Sequence, residues 1–471
     1  MRSPGIRPAR HSGIRASSYL NRVDIGDGTS LLFHGATLCI DLVPTVYADR
    51  LTDPATPLDL SFLSPGEKSH LLKRGHLTAW SRRRELAEFR KRVRYVVEKE
   101  AELGRKRKKG TLSFVLTYDC NLSCAYCYQK SLAATSRVPA MSEKFAEEVL
   151  SRHLPRLFPG VPRKNLIFLF FGGEPLLPGN RATIARILRY AGKHSIKAAV
   201  ATNGLSIREM EEFIGPETGK IGNVQVVLDG DRLHHDKRRT FGSGKPTYEG
   251  IIRAVRRLMR LKVNVFIRVH THPGKMESTA KLVEYLDRAK ILTHPNVETY
   301  FAPINTFQEK YGSPAEFDLF RRIFHEVAAK TRRPPSLNLD FLGDVLKMEG
   351  LKFLPRTRYC SVGTDDVFIV DPMGDIYDCF EEAGHKERRI GEISGGNVKF
   401  FPIKKTHTRR HLLNIPECLQ CSVAFFCGGG CPTRARIHGG SIFEPYCLQN
   451  KEYIAQTLKA YYSSLRRKIP A

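Results

Sequence analysis

From residue 111 onward, short apolar runs alternate with stretches in which apolar positions recur every three or four residues. "LSFVLTY", "NLIFLFF", "IKAAVAT", "NVQVVLD" and "VNVFIRVH" read as buried strands. Between them, Ser142 to His153, Arg181 to His194, Tyr248 to Leu261 and Ser278 to Ala289 read as helices. Such alternation predicts βα units around a parallel sheet, and five or six units make most of a barrel. The expected fold is α/β, a partial (β/α)6 TIM-type barrel over 111–330, with a region of different pattern on each side.

The first region, residues 1–110, alternates apolar and polar residues in "RVDIGDGTSLLFHGATLCIDL" around Asp27-Gly28, a hairpin signal. "LSPGEKSHLLKRGHLT" follows with helix punctuation: Ser64 as N-cap, Pro65 at the first helical position, Glu67 three residues after the cap and Gly75 as stop. Arg82 to Glu102 reads as a longer helix and "GRKRKKG" as a basic linker. A strand pair with short helices fits a winged-helix-like module. After about residue 330, over 331–471, the alternation fades into turn-rich segments such as "DPMGDIYDC" and "CGGGCP". Small loop-rich regions of this kind depend on metal for stability.

Composition adds an address and a charge. Of 471 residues, 41% are hydrophobic and 26% charged, which excludes global disorder. No apolar run reaches the roughly 18 to 20 residues of a membrane-spanning helix, and the basic N-terminus has no apolar h-region, so the expected compartment is the cytoplasm and no membrane partner is expected. Lys and Arg number 76 against 48 Asp and Glu, a formal +28, which suits an acidic partner. No zinc-finger, homeodomain or RNP pattern accompanies the charge, so nucleic acid is not the expected one.

Eleven cysteines in a cytoplasmic chain are expected as ligands rather than disulfides. Cys39 stands alone and reads as a small apolar residue. Cys120, Cys124 and Cys127 crowd one loop directly after the strand "TLSFVLTY". Three thiolates can hold three irons of a [4Fe-4S] cube and leave the fourth without a protein ligand. A zinc site short of one ligand, or reduced structural thiols, are the competing readings.

The C-x3-C-x2-C spacing, with an aromatic residue, Tyr126, before the last cysteine, resembles the signature of the radical SAM superfamily. The resemblance implies that S-adenosylmethionine (SAM) chelates the open iron and that an electron from the cluster splits it to a 5′-deoxyadenosyl radical. Gly172, Gly173, Glu174 and Pro175 alone could be any tight turn. In this context they resemble the family's GGEP element, which receives the SAM amino group. Thr202, Asn203 and Gly204 resemble another family element. "VVLDGDRLHHDKRRTFGSG" resembles the S-x-D-G and H-[DN]-x-x-R block of members acting on peptides and proteins. By that likeness Asp229, Gly230, His235, Asp236 and Arg239 are in register, Arg239 meets the SAM carboxylate, and Val227 replaces a cofactor-contacting serine. Arg268 and His270, on the next strand, also point to the rim but are weighed as satisfied core residues.

The remaining cysteines resemble the SPASM extension: Cys360, Gly374, Cys379, then Cys418, Cys421, Cys427 and Cys431, then Cys447. Zinc-ribbon pairing is the alternative. The resemblance implies two auxiliary [4Fe-4S] clusters, three clusters in all. Cys360, Cys379 and Cys431 would ligate the first; Cys418, Cys421, Cys427 and Cys447 the second. The first is one ligand short, completed by Asp366 or left open. Sulfatase-maturing members carry a proton-accepting Asp directly after the cysteine matching Cys379, where this chain has Phe380, with Asp378 just before it. The expected function is therefore maturation of a ribosomally made peptide by a thioether, carbon–carbon or related oxidation, with a leader peptide and a flavodoxin or ferredoxin as partners. Formylglycine formation is the alternative, and a basic Cys-rich nucleic-acid-binding protein a further one.

Overall fold

The computed structural model describes residues 13–53, 58–105, 109–129, 138–272, 274–303, 314–330, 355–447 and 450–466. The middle of the basic linker and the start of the third region lie outside the described residues. A two-residue ladder joins β1 (Arg15–Ala16) to β5 (Leu77–Thr78), and β2 (Leu20–Asp24), β3 (Thr29–His34) and β4 (Ile40–Pro44) form an antiparallel sheet. The predicted hairpin is thus the first half of a three-stranded meander. Helices Thr45–Thr52, Pro65–Arg74 and Arg82–Arg105 follow it. Ser64 caps the second through a full capping box with Glu67, as the sequence predicts.

Six parallel strands make the barrel portion: β6 (Gly110–Thr117), β7 (Leu166–Gly172), β8 (Lys197–Ala201), β9 (Ile221–Leu228), β10 (Asn264–Thr271) and β11 (Val297–Pro303). They lie in sequence order, with the predicted helices between them. Along β10, and along β9 from Val224 onward, every second residue is buried, because one face meets the helices and the other the barrel interior. The helix predicted from Ser142 to His153 forms, with a π turn at Val149–His153.

An open barrel has two edge strands, here β11 and β6. The Cys-rich region covers the second. Its first strand, β12 (Val367–Val370), pairs parallel to β6, and β13 (Asp375–Tyr377), β14 (Gly391–Ser394) and β15 (Asn397–Phe400) continue antiparallel, giving one ten-stranded sheet. The sequence pattern predicts a separate loop-rich region here; the strands are too short for their periodicity to show.

The N-terminal unit also joins this body. Tyr19, Phe33, Phe89 and Val93 share one hydrophobic core with the barrel and with Phe425 and Phe426. The Phe89 and Phe425 rings meet edge to face at 4.9 Å. Tyr19 Oη donates to the Leu419 carbonyl (2.6 Å), and Asn21 Nδ2 to that of Ser422 (2.7 Å). Gly35 permits the approach, since a Cβ there would stand 1.8 Å from the Ser422 carbonyl oxygen. Phe89→Ala is therefore expected to destabilise the whole chain by about 3 to 5 kcal/mol, read as a lower urea midpoint. Loss of hydrogen-exchange protection confined to residues before 105 would contradict a shared core.

Candidate active site

Every motif singled out in the barrel lies where a parallel strand ends, at one rim. The loop bearing Cys120, Cys124 and Cys127 leaves β6 and is held by backbone bonds from two sides. On one, Gly173 N and Glu174 N donate to the carbonyls of Thr117 and Asp119, both at 2.8 Å. On the other, Ser123 N and Ala125 N donate to those of Thr240 (2.8 Å) and Arg238 (3.0 Å). The diglycine serves the first contact. A Cβ on Gly172 would lie 2.3 Å from the Thr117 carbonyl oxygen, and one on Gly173 2.2 Å from that of Asp119. The two glycines therefore admit the chain's own cysteine loop, which motif reading alone does not reveal.

Glu174 is fully buried. Its carboxylate accepts from Leu176 N (2.9 Å), Thr202 Oγ1 (2.7 Å) and Asn203 N (2.7 Å). The side chain thus fastens the next strand end, and what this motif presents to a ligand is backbone. Asn203 reaches back to the cysteine loop, donating Nδ2 to Asn121 Oδ1 at 2.7 Å.

The block after β9 reads as a clamp on Arg239. Asp229 N donates to His235 Nδ1 (3.1 Å), which places the imidazole proton on Nε2. His235 Nε2 then donates to Thr247 Oγ1 (3.1 Å), and that hydroxyl donates to the Arg239 carbonyl (2.6 Å). Asp236 Oδ1 accepts from Thr247 N (2.9 Å) and Tyr248 N (2.8 Å), anchoring the far end. At its tip, Arg239 donates Nη1 to the Tyr126 hydroxyl (2.8 Å), which also lies 3.2 Å from His270 Nδ1. His270 Nδ1 is 3.0 Å from Asp229 Oδ1. Burial alone would push Asp229 up, but His270, His272 and Arg239 hold its carboxyl well below the usual range.

His270 and Arg268 therefore face the barrel interior and the site, not the packed core that the sequence weighting favoured; alternation along β10 puts them there. Val227 pairs with Arg268 across the sheet and brings no oxygen to the interior. Sequence reasoning missed His272 and Thr247. Two-residue spacing from His270 along the strand was the available signal for the first; nothing local marks the second.

The C-terminal cysteines fall into neighbouring groups, with Cys379 near Cys431, and Cys418 near Cys421, Cys427 and Cys447. Burial raises the thiols of Cys120, Cys427 and Cys431 each to about 11, so loading metal on these three means displacing protons. Among the described residues no three ligand-type side chains converge on one metal ion. In a [4Fe-4S] cube each cysteine takes its own iron, and an all-thiol donor set is the kind that such a cluster takes. Arg239 fits SAM: its buried Nε has no protein partner, a free donor where a ligand carboxylate would bind. Asp366 is exposed at the start of β12. Asp378 is buried and committed to His407 Nδ1 (3.0 Å) and Gly363 N (2.9 Å). The Phe380 ring packs on Phe171 at 4.8 Å.

Burial pushes His235 down from 6.5 to about 4. Below pH 6.5 the unfolded chain takes a proton that the folded chain refuses until about pH 4, so stability falls as pH drops through that window. The contribution is at most about 3 kcal/mol. His235→Gln, compared with wild type by urea unfolding at pH 7 and pH 5, is expected to lose less stability on acidification; equal losses would contradict the neutral clamp.

A model of the radical SAM superfamily matches residues 114–286. The serine-type anaerobic sulfatase-maturating enzyme of Klebsiella aerogenes is 24% identical over 339 residues, 68% of this chain and 79% of that protein. The cysteine-type enzyme of Clostridium perfringens is 24% identical over 356 residues, 71% and 92% of the two chains. Among solved structures, histidine-tagged anSMEcpe with bound AdoMet superposes with a TM-score of 0.59 at 20% identity, over 77% of this chain and 96% of that one. Streptococcus suis SuiB bound to S-adenosylmethionine gives 0.47 at 14% identity, over 92% and 98%. No described helix is long and apolar enough to cross a membrane. Residues 114–286, which carry the cysteine loop and the motifs that follow β7, β8 and β9, are a radical SAM domain.

Proposed function

We propose that this enzyme modifies a ribosomally made peptide, joining or oxidising its side chains in a thioether, carbon–carbon or related product. SAM bound over the three-cysteine loop supplies the hydrogen-abstracting radical when one electron arrives. Cys120, Cys124 and Cys127 hold the cluster, and Arg239, set by Tyr126 and by Thr247, takes the SAM carboxylate. The Gly172–Glu174 turn and Asn203 wall the amino side. Cys360, Cys379 and Cys431 hold one auxiliary cluster and Cys418, Cys421, Cys427 and Cys447 the other, with Asp366 kept off the first. Its fourth iron is then open to a substrate sulfur.

The observation that carries the choice is Phe380. Formylglycine formation needs a base directly after Cys379; that position holds an aromatic ring turned into an apolar cluster, and Asp378 is already bonded on both oxygens. The sulfatase-maturating relatives favour formylglycine formation as a second reading. On the first reading the N-terminal sheet receives a leader peptide. Within that sheet β4 pairs only with β3, its edge carries half-exposed Leu42, and an added strand satisfies such an edge. The basic surface suits an acidic leader and an acidic electron carrier, flavodoxin or ferredoxin.

Incubated without oxygen with SAM, dithionite and a leader-bearing peptide encoded nearby, the enzyme is expected to give a product short of two hydrogens that does not react with a hydrazine. A hydrazone would establish the formylglycine reading instead. Leu42→Glu is expected to raise KM for that peptide about tenfold, the weight of 1.4 kcal/mol, while SAM cleavage without peptide stays unchanged. An unchanged KM would remove β4 as the docking edge.

A further inference from the structure

Arg410 is 4% exposed and lies after helix Pro402–Thr408, inside the Cys-rich region. Its Nη2 donates to the carbonyls of Gly429 and Gly430, both at 3.0 Å, and to that of Glu444 at 3.4 Å. Those acceptors are neutral. Among the described residues no carboxylate pairs with it, although Arg389, Arg434 and Arg436 nearby in the chain all have such partners. Its Nε is buried without any acceptor. A guanidinium taken out of water requires compensating negative charge, and a buried donor requires an acceptor.

The glycines it binds supply the identity of that charge. Gly429 and Gly430 lie between Cys427 and Cys431, which on the proposed assignment belong to different clusters. The groups whose negative charge, once their thiols give up protons to metal, would act on Arg410 are Cys360, Cys418, Cys431 and Cys427, drawn from both sets. The Arg410 carbonyl is itself fixed by Arg358 Nη1 (2.6 Å), so the head group sits on a braced backbone.

We propose that Arg410 is a redox-positioning residue, a fixed cation set between the two auxiliary clusters whose Nε–H and charge stabilise their reduced states and raise both reduction potentials. This rests on the two-cluster reading. On one-electron reduction by dithionite or an acidic carrier, a cluster gains one negative charge, and the cation already in place offsets it without a proton entering the site. Hydrogen bonds and charge next to cluster sulfurs are the means by which a protein tunes such potentials.

The test is an anaerobic redox titration of the reconstituted full chain, followed by electron paramagnetic resonance, on wild type, Arg410→Met and Arg410→Lys. With iron content equal, Arg410→Met is expected to shift the reduced-to-oxidised ratio of both C-terminal clusters at least tenfold toward oxidised. That is about 59 mV or more for one electron. The cluster on Cys120, Cys124 and Cys127 is expected to keep its midpoint, and Arg410→Lys to fall in between. Three clusters with unmoved C-terminal midpoints in the Met variant would overturn the role of Arg410 alone. Wild-type iron for a single cluster would overturn the two-cluster reading beneath it. Should the Met variant lose iron, the Lys variant decides, and an unmoved midpoint there overturns the proposal.

Discussion

The structure depends on backbone hydrogen bonds that hold a three-cysteine loop at the open rim of a parallel sheet. A loop of eight residues carrying three thiols has no core of its own. It keeps a shape because the Gly172–Glu174 turn grips it before the first cysteine and residues 238–240 grip it between the first and the last. Each grip is made by a segment tied to a further motif, the first through Glu174 to Asn203 and the second through the residues leading into Arg239. The motifs are therefore less a set of independent contacts than one interlocked surface, in which moving the loop moves Asn203 and Arg239 as well.

Buried charge follows from the same arrangement. Glu174, Asp229, Arg239 and Arg410 are each nearly or fully buried. Glu174 is answered by backbone and hydroxyl donors, Asp229 by imidazoles. The two arginines are answered only in part by the protein, each keeping a buried Nε without a partner, and the proposed function gives those donors a carboxylate and iron–sulfur clusters.

Much of this was legible in the sequence. Five of six barrel strands, the capping box at Ser64 and the position of each motif at a strand end all follow from periodicity and turn chemistry. Other features were not. β12 to β15 have three or four residues each, too few to show a period, so their union with the barrel sheet is a tertiary fact. The purpose of Gly172 and Gly173 depends on a loop some fifty residues earlier. The inward turn of Arg268 and His270 is set by strand register, and the clamp through Thr247 links residues that no local pattern relates. The docking of Phe89 on Phe425 joins the two ends of the chain, beyond any windowed reading.

The central claim is that three thiolates hold a cluster with one corner open to SAM. Its most direct test is the yield of 5′-deoxyadenosine from reconstituted, dithionite-reduced enzyme given SAM alone, for wild type beside Cys124→Ala. The account predicts steady formation by wild type and none above background in the variant, with the C-terminal iron still present. Equal yields from the two proteins, or none from a fully iron-loaded wild type, would contradict it.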